Sequence, residues 1–163
     1  MLSPCNNGIM IVVERVGPPG KRAGKEKLDM SEQENTTLVQ QAYGHFQSGE
    51  IPAVLDLLSE DVEWLSPELE GVPLARNWHG REQVGQFFQT LSDTQEARQF
   101  EPREFVAQGD KVVALGHYAW HVKSTGREWE SDFAHVFTVH DGSVTKFQEY
   151  TNTAAYADAF REG

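Results

Sequence analysis

The sequence predicts an α+β fold in which a curved antiparallel β-sheet wraps around N-terminal helices and leaves a conical pocket. In the first half of the chain, apolar residues recur every three or four positions, which indicates amphipathic helices. The C-terminal part instead holds three long β-rich runs, separated by the glycine turns Ser124-Thr125-Gly126 and His140-Asp141-Gly142. Helices followed by an antiparallel meander are typical of α+β proteins.

Three helices are predicted ahead of the long strands. The first is expected to begin at Ser31, because Ser31-x-x-Glu34 fits a capping box, and to end before Gly49. Pro52 suits the first turn of a second, shorter helix, and residues 80–91 fit a third. The predicted buried stripes are Leu38, Val39, Ala42, Tyr43 and Phe46 in the first helix, Val54, Leu55, Leu57 and Leu58 in the second, and Val84, Phe87, Phe88 and Leu91 in the third.

Strands are predicted at residues 62–65, 100–108, 111–123, 127–140 and 143–151. Residues 66–78 hold two prolines and one glycine without any periodicity, which predicts a loop that can serve as a lid. A last short helix is expected to end at Phe160, capped by Asn152 or Thr153.

Composition limits the classes of partner. The chain has 163 residues and a formal net charge of −11, which argues against nucleic acid and anionic membranes, since both require a basic surface. The lone Cys5 excludes an intrachain disulfide and suits a reducing compartment. The longest aliphatic stretch, residues 9–13, is too short to span a bilayer, and no signal-peptide pattern is found. A cytoplasmic protein is therefore expected.

Residues 1–30 are predicted to be a flexible tail, and residues 31–163 a single domain. The tail is basic, and its Gly-Pro-Pro-Gly run at 17–20 disfavours regular structure. A basic docking arm is the functional alternative. Since Met30-Ser31-Glu32 resembles a natural protein start, an upstream start is another explanation for the segment.

Alternation along the predicted strands brings titratable side chains to the apolar inner face of the sheet. The expected inward residues are Tyr118 and Trp120 in the first strand of the meander, Trp129, Phe133, His135 and Phe137 in the next, and Phe147 and Glu149 in the last. In a regular strand, Val144 would point to the face opposite Phe147 and Glu149. A β-bulge between them would bring Val144 to the inner face as well.

His135 and Glu149 are predicted to be neighbours. Counting outward from the Asp141-Gly142 turn places His135 beside Glu149 and Phe137 beside Phe147. Either group of the first pair can move a proton to or from a carbon acid or a ring hydroxyl. A purely structural pair is the alternative, because a buried polar group must find a partner.

Residues 57–64 (LLSEDVEW), 79–88 (HGREQVGQFF) and 134–150 (AHVFTVHDGSVTKFQEY) resemble the SnoaL-like branch of the nuclear transport factor 2-like superfamily. The resemblance covers roughly residues 34–160 and implies a cystatin-like cone without a cofactor. Relatives include ketosteroid isomerases, polyketide cyclases, limonene-epoxide hydrolases and many non-catalytic pocket or dimerisation modules.

The resemblance implies roles for two residues, but at two other positions this chain lacks the functional residue of its relatives. His135 falls about where the isomerases place an oxyanion-stabilising acid, and Glu149 about where epoxide-hydrolase relatives place a water-activating carboxylate. Trp64 stands where the isomerases carry their carboxylate base, and Tyr43 is one position away from their helix-one tyrosine. Neither steroid isomerisation nor epoxide opening is therefore inherited.

Two functions follow. The first is a cofactor-free isomerase, cyclase or hydrolase in which His135 and Glu149 are catalytic and handle protons on a small apolar molecule. The second is a non-catalytic ligand-binding or dimerisation module of the same fold. The predicted substrate-binding residues are Tyr43, Trp64, Tyr118, Trp120, Phe133 and Phe137.

The outer face of the sheet carries two further predictions. His117 and His121 do not indicate a metal site, because residues four apart on a strand lie about 13 Å apart. A homodimer is expected to form through this face, which has an unusual number of apolar residues and is the face through which relatives pair. The residues concerned are Val113, Leu115, Ala119 and Val136.

Overall fold

The computed structural model describes residues 22–162, with side chains from Ser31 onward, and it confirms the α+β fold class. In chain order the elements are α1 (Arg22–Gln47), α2 (Ile51–Asp56), β1 (Leu58–Leu65), β2 (Trp78–His79), α3 (Gly80–Thr94), β3 (Gln95–Gln108), β4 (Lys111–Val122), β5 (Glu128–His140), β6 (Ser143–Tyr150) and α4 (Thr153–Phe160).

The strands form one sheet in the order β2-β1-β6-β5-β4-β3. Neighbouring strands are antiparallel, except that β1 runs parallel to β6. Register shifts interrupt the pairing of β3 with β4 between Ala97 and Gln99 and again between Pro102 and Glu104. Because bulges bend and twist the strands that carry them, the sheet curves and its concave face holds the core.

Gly116 permits a close approach at the second of these shifts. It pairs with Pro102, and a Cβ atom at this position would lie 2.2 Å from the Glu101 carbonyl oxygen and 2.7 Å from Phe133 Cζ. No side chain fits at such distances. Any residue other than glycine would therefore push β3 away from β4 at this bend.

Helix α1 begins at Arg22, so the predicted start at Ser31 is wrong. Residues 22–30 consist mostly of good helix formers, and their backbone continues the helix upstream of the capping box. Residues 1–21 of the segment predicted as a tail lie outside the described residues. The end of α1 is as predicted, with Gly49 at a φ of 76° just beyond it.

Three strand boundaries differ from the predictions. β1 begins at Leu58, so this residue is a fully buried strand residue beside Val144 and not part of the second helix. β3 begins at Gln95, because its first residues pair with the end of β4. The two-residue strand β2 forms at the end of the predicted loop by pairing with β1. The sequence shows no alternation of apolar and polar residues at these positions, so pairing with neighbouring strands decides where each strand begins.

The meander and the last helix follow the predictions closely. β4, β5 and β6 each match within one residue at either end. The bulge expected near Val144 is present, since the β5–β6 register shifts between Thr138 and Val139. Asn152 caps α4 by accepting a hydrogen bond from Ala155 N at 3.1 Å.

Two apolar clusters fill the concave face. One lies between α1, α3 and strands β1 and β6, and the other lies between α4 and the far ends of β4 and β5. Phe46, Leu91 and Phe100 pack against both. The predicted lid loop joins both as well, since Leu74 belongs to the first cluster and Val72 to the second. Residues of both clusters line one cavity.

Candidate functional site

The concave face encloses a cavity of about 90 Å³ that opens on one side. This is on the order of the volume that holds a small aromatic molecule in engineered protein cores. The wall is almost entirely apolar, with a few polar groups placed among aromatic rings. Its residues are Ala42, Tyr43, Phe46, Val54, Trp64, Leu74, Phe87, Phe88, Leu91, Gln95, Phe100, Tyr118, Trp120, Trp129, His135, Phe137, Phe147, Glu149 and Tyr156.

His135 and Glu149 lie side by side in this wall. The β5–β6 ladder pairs the two residues and also pairs Phe137 with Phe147, which confirms the predicted register. His135 Nε2 lies 3.1 Å from Glu149 Oε2. The His135 side chain is 6% exposed and the Glu149 side chain 15%, so the carboxylate is the more accessible member of the pair.

Two tyrosines extend the pair into a chain of four groups. Tyr43 Oη on α1 lies 2.7 Å from His135 Nδ1. Tyr118 Oη on β4 donates to Glu149 Oε2, also at 2.7 Å. We call Tyr43, His135, Glu149 and Tyr118 the inner network. Its members come from α1, β4, β5 and β6, so folding of the whole domain is needed to assemble it.

Burial keeps both tyrosine hydroxyls protonated. It is the main cause that raises the pKa of Tyr43 well above its usual value, and the charge of Glu149 raises it further. The same two causes raise the pKa of Tyr118. Both residues therefore act as neutral hydrogen-bond donors and not as bases.

The hydroxyl of Tyr43 determines which ring nitrogen of a neutral His135 carries the proton. Among the described residues, His135 Nδ1 is the acceptor available to the Tyr43 hydroxyl, so that hydroxyl donates to it. A neutral imidazole then carries its proton on Nε2 and donates to Glu149 Oε2. Oε2 thus accepts two hydrogen bonds, which a carboxylate does readily.

Glu149 Oε1 is the oxygen left for a ligand. It takes no hydrogen bond from the described residues, and it is not among their buried polar atoms without a partner. Glu149 lines the cavity, and its Oε1 retains some accessible surface. The arrangement combines one tethered carboxylate oxygen with one oxygen that can accept a proton.

Most of the predicted substrate-binding residues reach the cavity. Tyr43, Trp64, Tyr118, Trp120 and Phe137 are all in its wall, and Trp64 stacks on Phe147 with ring centres 4.0 Å apart. Phe133 is not in the wall. It lies behind the inner network, stacked on His135 at 4.2 Å and covered by Phe100 at 5.7 Å.

Two polar wall residues were missed from the sequence. Gln95 stands at the start of β3, outside the predicted strand, and Tyr156 lies in α4. The spacing of four between Tyr156 and Phe160 is a signal for one buried helix face, but it does not show which cavity that face meets.

Other kinds of site are not found in the part of the chain that the structure describes. No group of His, Cys, Asp and Glu residues there is arranged to hold a metal ion. His117 instead lies between Asp132 and Glu130 on the outer face, at 2.8 and 2.9 Å. None of the helices in residues 22–162 combines the length and apolarity needed to cross a membrane.

Comparisons with known proteins identify the fold and its relatives. A family model described as a SnoaL-like domain matches residues 39–147. An NTF2-like protein from Burkholderia xenovorans LB400 is 36% identical, with a TM-score of 0.75, over 81% of this chain and 99% of that one. Among curated proteins, no sequence matches the chain.

Two further solved structures are similar at lower identity. TerC, crystallised with polyporic acid, is 25% identical with a TM-score of 0.65, over 78% of this chain and 98% of that one. A candidate polyketide cyclase from Xanthomonas campestris pv. campestris is 24% identical with a TM-score of 0.62, over 80% and 98% of the two chains. At that identity the second likeness shows the fold alone.

Proposed function

We propose a function for this chain from the premise that it belongs to the SnoaL-like domain family, whose model matches more than half of its length. It binds a small apolar molecule in the cone and, without a cofactor, moves a proton on that molecule by general acid–base catalysis. The reaction class is isomerisation or cyclisation, with Glu149 and His135 as the proton-handling pair. The observation that carries this proposal is the accessible Oε1 of Glu149 in a mostly apolar wall.

A carboxylate in such a wall is less shielded by water than one in solution. Few polar atoms compete for Oε1, and the apolar surroundings exclude much of the water that would solvate its charge. His135 and Tyr118 hold Oε2, so Oε1 points in a fixed direction. Orientation of this kind lowers the entropic part of the barrier.

The proton movement needs no other reactant. Oε1 takes a proton from a carbon atom of the ligand, and the electron pair of the C–H bond moves into the ligand's π system. In an isomerisation the proton returns to a different carbon. In a cyclisation the carbanion attacks an electrophilic carbon of the same molecule, and the proton goes to the oxygen that becomes negative.

Relatives support a small-molecule ligand without fixing its identity. TerC, which has the same fold and is 25% identical, was crystallised with the small molecule polyporic acid. The apolar wall of the present cavity suits a ligand that is mostly hydrocarbon. A non-catalytic ligand-binding protein remains the competing function, and turnover separates the two.

A base-sensitive probe tests the proposal although the natural substrate is unknown. In 5-nitrobenzisoxazole, Oε1 would take the C3 proton while the N–O bond breaks, giving a coloured cyanophenolate. We expect wild-type protein to accelerate this reaction and Glu149→Gln to lower the rate at least about 100-fold, the usual contribution of a general base. The rate is followed by absorbance, and folding by circular dichroism.

The matched control is Glu130→Gln. Glu130 also accepts a hydrogen bond from a histidine, but its side chain is 68% exposed on the outer face. We expect this variant to keep the wild-type rate. Equal rates for wild type and Glu149→Gln would overturn the catalytic proposal, and ligand binding without turnover would then favour a pocket protein.

A further inference from the structure

The cavity wall includes one stretch without regular secondary structure. Residues 67–77, which we call the lid segment, connect β1 to β2. Of the wall residues that the structure describes, Leu74 of this segment alone lies outside the helices and strands. The two halves of the segment are joined, because Leu69 N donates to Ala75 O at 3.2 Å. A surface loop closed in this way is an Ω-loop, a type that is frequently functional.

The hydrogen bonds of the lid segment stay almost entirely within it. Four of its backbone N–H groups donate to carbonyl oxygens of the same segment, namely those of Leu69, Val72, Ala75 and Arg76. The Asn77 side chain donates to Glu68 Oε2 at 3.1 Å. Across the described residues 22–162, the one hydrogen bond between the segment and any other residue comes from Trp78. Outward movement of the segment therefore breaks few hydrogen bonds.

Trp78 fastens the lid segment to the rest of the domain. Its backbone pairs with Trp64 of β1, and its ring lies edge-on against Phe87 of α3, with centres 5.8 Å apart. Trp78 Nε1 donates to Leu74 O at 3.2 Å, and the Arg76 guanidinium lies 3.7 Å from the centre of the Trp78 ring. Trp78 thus belongs to the sheet and holds the second half of the segment in the closed position.

Apolar side chains supply the other contacts of the lid segment. Val72, Leu74 and Ala75 are each at most 5% exposed and pack into the two apolar clusters. Such contacts are non-directional and can be remade when the segment returns. Pro67 and Pro73 restrict the backbone of the segment and cannot donate a backbone hydrogen bond. The segment is therefore stiff within itself but weakly fastened to the sheet.

Helix α4, which contributes Tyr156 to the wall, is fastened differently. Thr125 Oγ1 donates to Ala159 O at 2.7 Å, and the Arg127 side chain donates to Asp158 O at 2.9 Å. Both donors lie in the connection between β4 and β5. The C-terminal end of α4 cannot leave the sheet without breaking these bonds, so the lid segment is the more easily displaced part of the wall.

We propose that the lid segment is a gate, which turns outward as one unit about its two ends while Trp78 stays with the sheet. Opening breaks the bond between Trp78 and Leu74 and removes the apolar side chains of the segment from the clusters, but it leaves the internal hydrogen bonds of the segment intact. Leu74 then leaves the wall, so small molecules can enter a cavity that is only about 90 Å³ in the closed position. This inference does not rest on the proton transfer proposed above.

Two cysteine variants compare the lid segment with α4. Ala75 in the segment and Ala159 in α4 are both 3% exposed and both belong to the second apolar cluster. The variants are made with Cys5→Ser, which removes the one natural thiol. We expect Ala75→Cys to react with iodoacetamide at least about tenfold faster than Ala159→Cys, because local opening exposes a side chain without global unfolding. Mass spectrometry follows the alkylation.

Replacing Trp78 tests how the closed position is held. Trp78→Phe keeps an aromatic ring but loses the N–H group that donates to Leu74 O. We expect it to raise the alkylation rate of Ala75→Cys about three- to tenfold, the effect of losing one hydrogen bond. Trp129→Phe is the matched control, because Trp129 is also buried and donates to Gln95, outside the segment. This control should leave the rate within about twofold.

Amide hydrogen exchange distinguishes movement as one unit from unfolding of the segment. In wild type, the N–H groups of Leu69, Val72 and Ala75 should exchange much more slowly than the Ala75→Cys thiol becomes exposed, since their bonds stay within the segment. Circular dichroism and urea unfolding verify that each variant is folded and give its globally unfolded fraction. The inference is overturned if the two thiols react equally fast, if Trp78→Phe leaves the rate unchanged, or if these amides exchange as fast as the thiol is exposed.

Discussion

Two histidines on opposite faces of the sheet differ chiefly in burial. His135 on β5 points inward and lies between Tyr43 and Glu149, at 2.7 and 3.1 Å. His117 on β4 points outward and lies between Asp132 and Glu130, at 2.8 and 2.9 Å. The distances are alike. The Glu149 side chain is 15% exposed, however, whereas that of Asp132 is 86% exposed.

The contrast shows that access to water, and not the number or length of the hydrogen bonds, decides how strongly a histidine and its two partners are held in place. On the outer face, solvent can replace any partner that is lost, and salt screens the charges. On the inner face, a lost partner leaves a buried group unpaired, which is costly. The buried partners therefore restrain the inner network, whereas the outer triad of His117, Asp132 and Glu130 is an ordinary surface cluster.

Replacing each histidine by leucine measures this difference directly. His135→Leu leaves the Tyr43 hydroxyl without its acceptor and Glu149 Oε2 without one donor. At roughly 1–2 kcal/mol for each unpaired group, we expect a loss of about 2 to 4 kcal/mol in the free energy of unfolding. His117→Leu should cause a much smaller change. Urea unfolding at pH 7 gives both values.

If the two variants lose similar free energy of unfolding, burial does not distinguish the two histidines. His135→Leu should also fail to accelerate cleavage of 5-nitrobenzisoxazole, whereas His117→Leu should retain the wild-type rate. A stable but inactive His135→Leu would show that the inner network serves catalysis more than folding.

The sequence was sufficient to predict the pairing of His135 with Glu149. A two-residue period assigns the faces of both strands, and the Asp141-Gly142 turn fixes the register between them. Local rules suffice here because both residues lie close to one tight turn. The inward face predicted for Glu149 is also confirmed, since a bulge falls near Val144, where the alternation required one.

The rest of the site depends on contacts that no local pattern specifies. Tyr43 and His135 are 92 positions apart, and the bond between them results from packing of α1 on the sheet. Gln95 belongs to a strand start that only its pairing with β4 creates. Tyr156 enters the cavity because α4 folds back onto β5 and stacks on Trp129. The position of the helix start at Arg22 was likewise decided by continuing propensity and not by the capping box.

The proposed homodimer would change the environment of the outer triad. Leu115 lies half-buried on the outer face of β4, two residues from His117, and pairs with Ala134. We expect the protein to sediment as a dimer at micromolar concentration and Leu115→Lys to weaken dimerisation at least about tenfold, or roughly 1.4 kcal/mol. A wild-type protein that sediments only as a monomer would rule out this interface.

The smallest expected effect is a pH dependence that the outer triad alone should produce. Hydrogen bonds to Asp132, and then to Glu130, raise the pKa of His117 above its usual value. A pKa raised in the folded state means that the proton binds more tightly there than in the unfolded chain. The resulting stabilisation is fully present below the unfolded pKa of about 6.5 and is lost as the pH rises through the folded pKa.

The difference in free energy of unfolding between wild type and His117→Gln should therefore be largest near pH 5.5 and should shrink toward pH 9. Urea unfolding at several pH values measures it, and added salt should reduce it, because the triad is open to solvent. Asp132→Asn supplies the control, since loss of the leading partner should remove most of the slope. A difference that stays constant across this range would contradict the assignment, and it would mean that the outer histidine contributes through packing and not through charge.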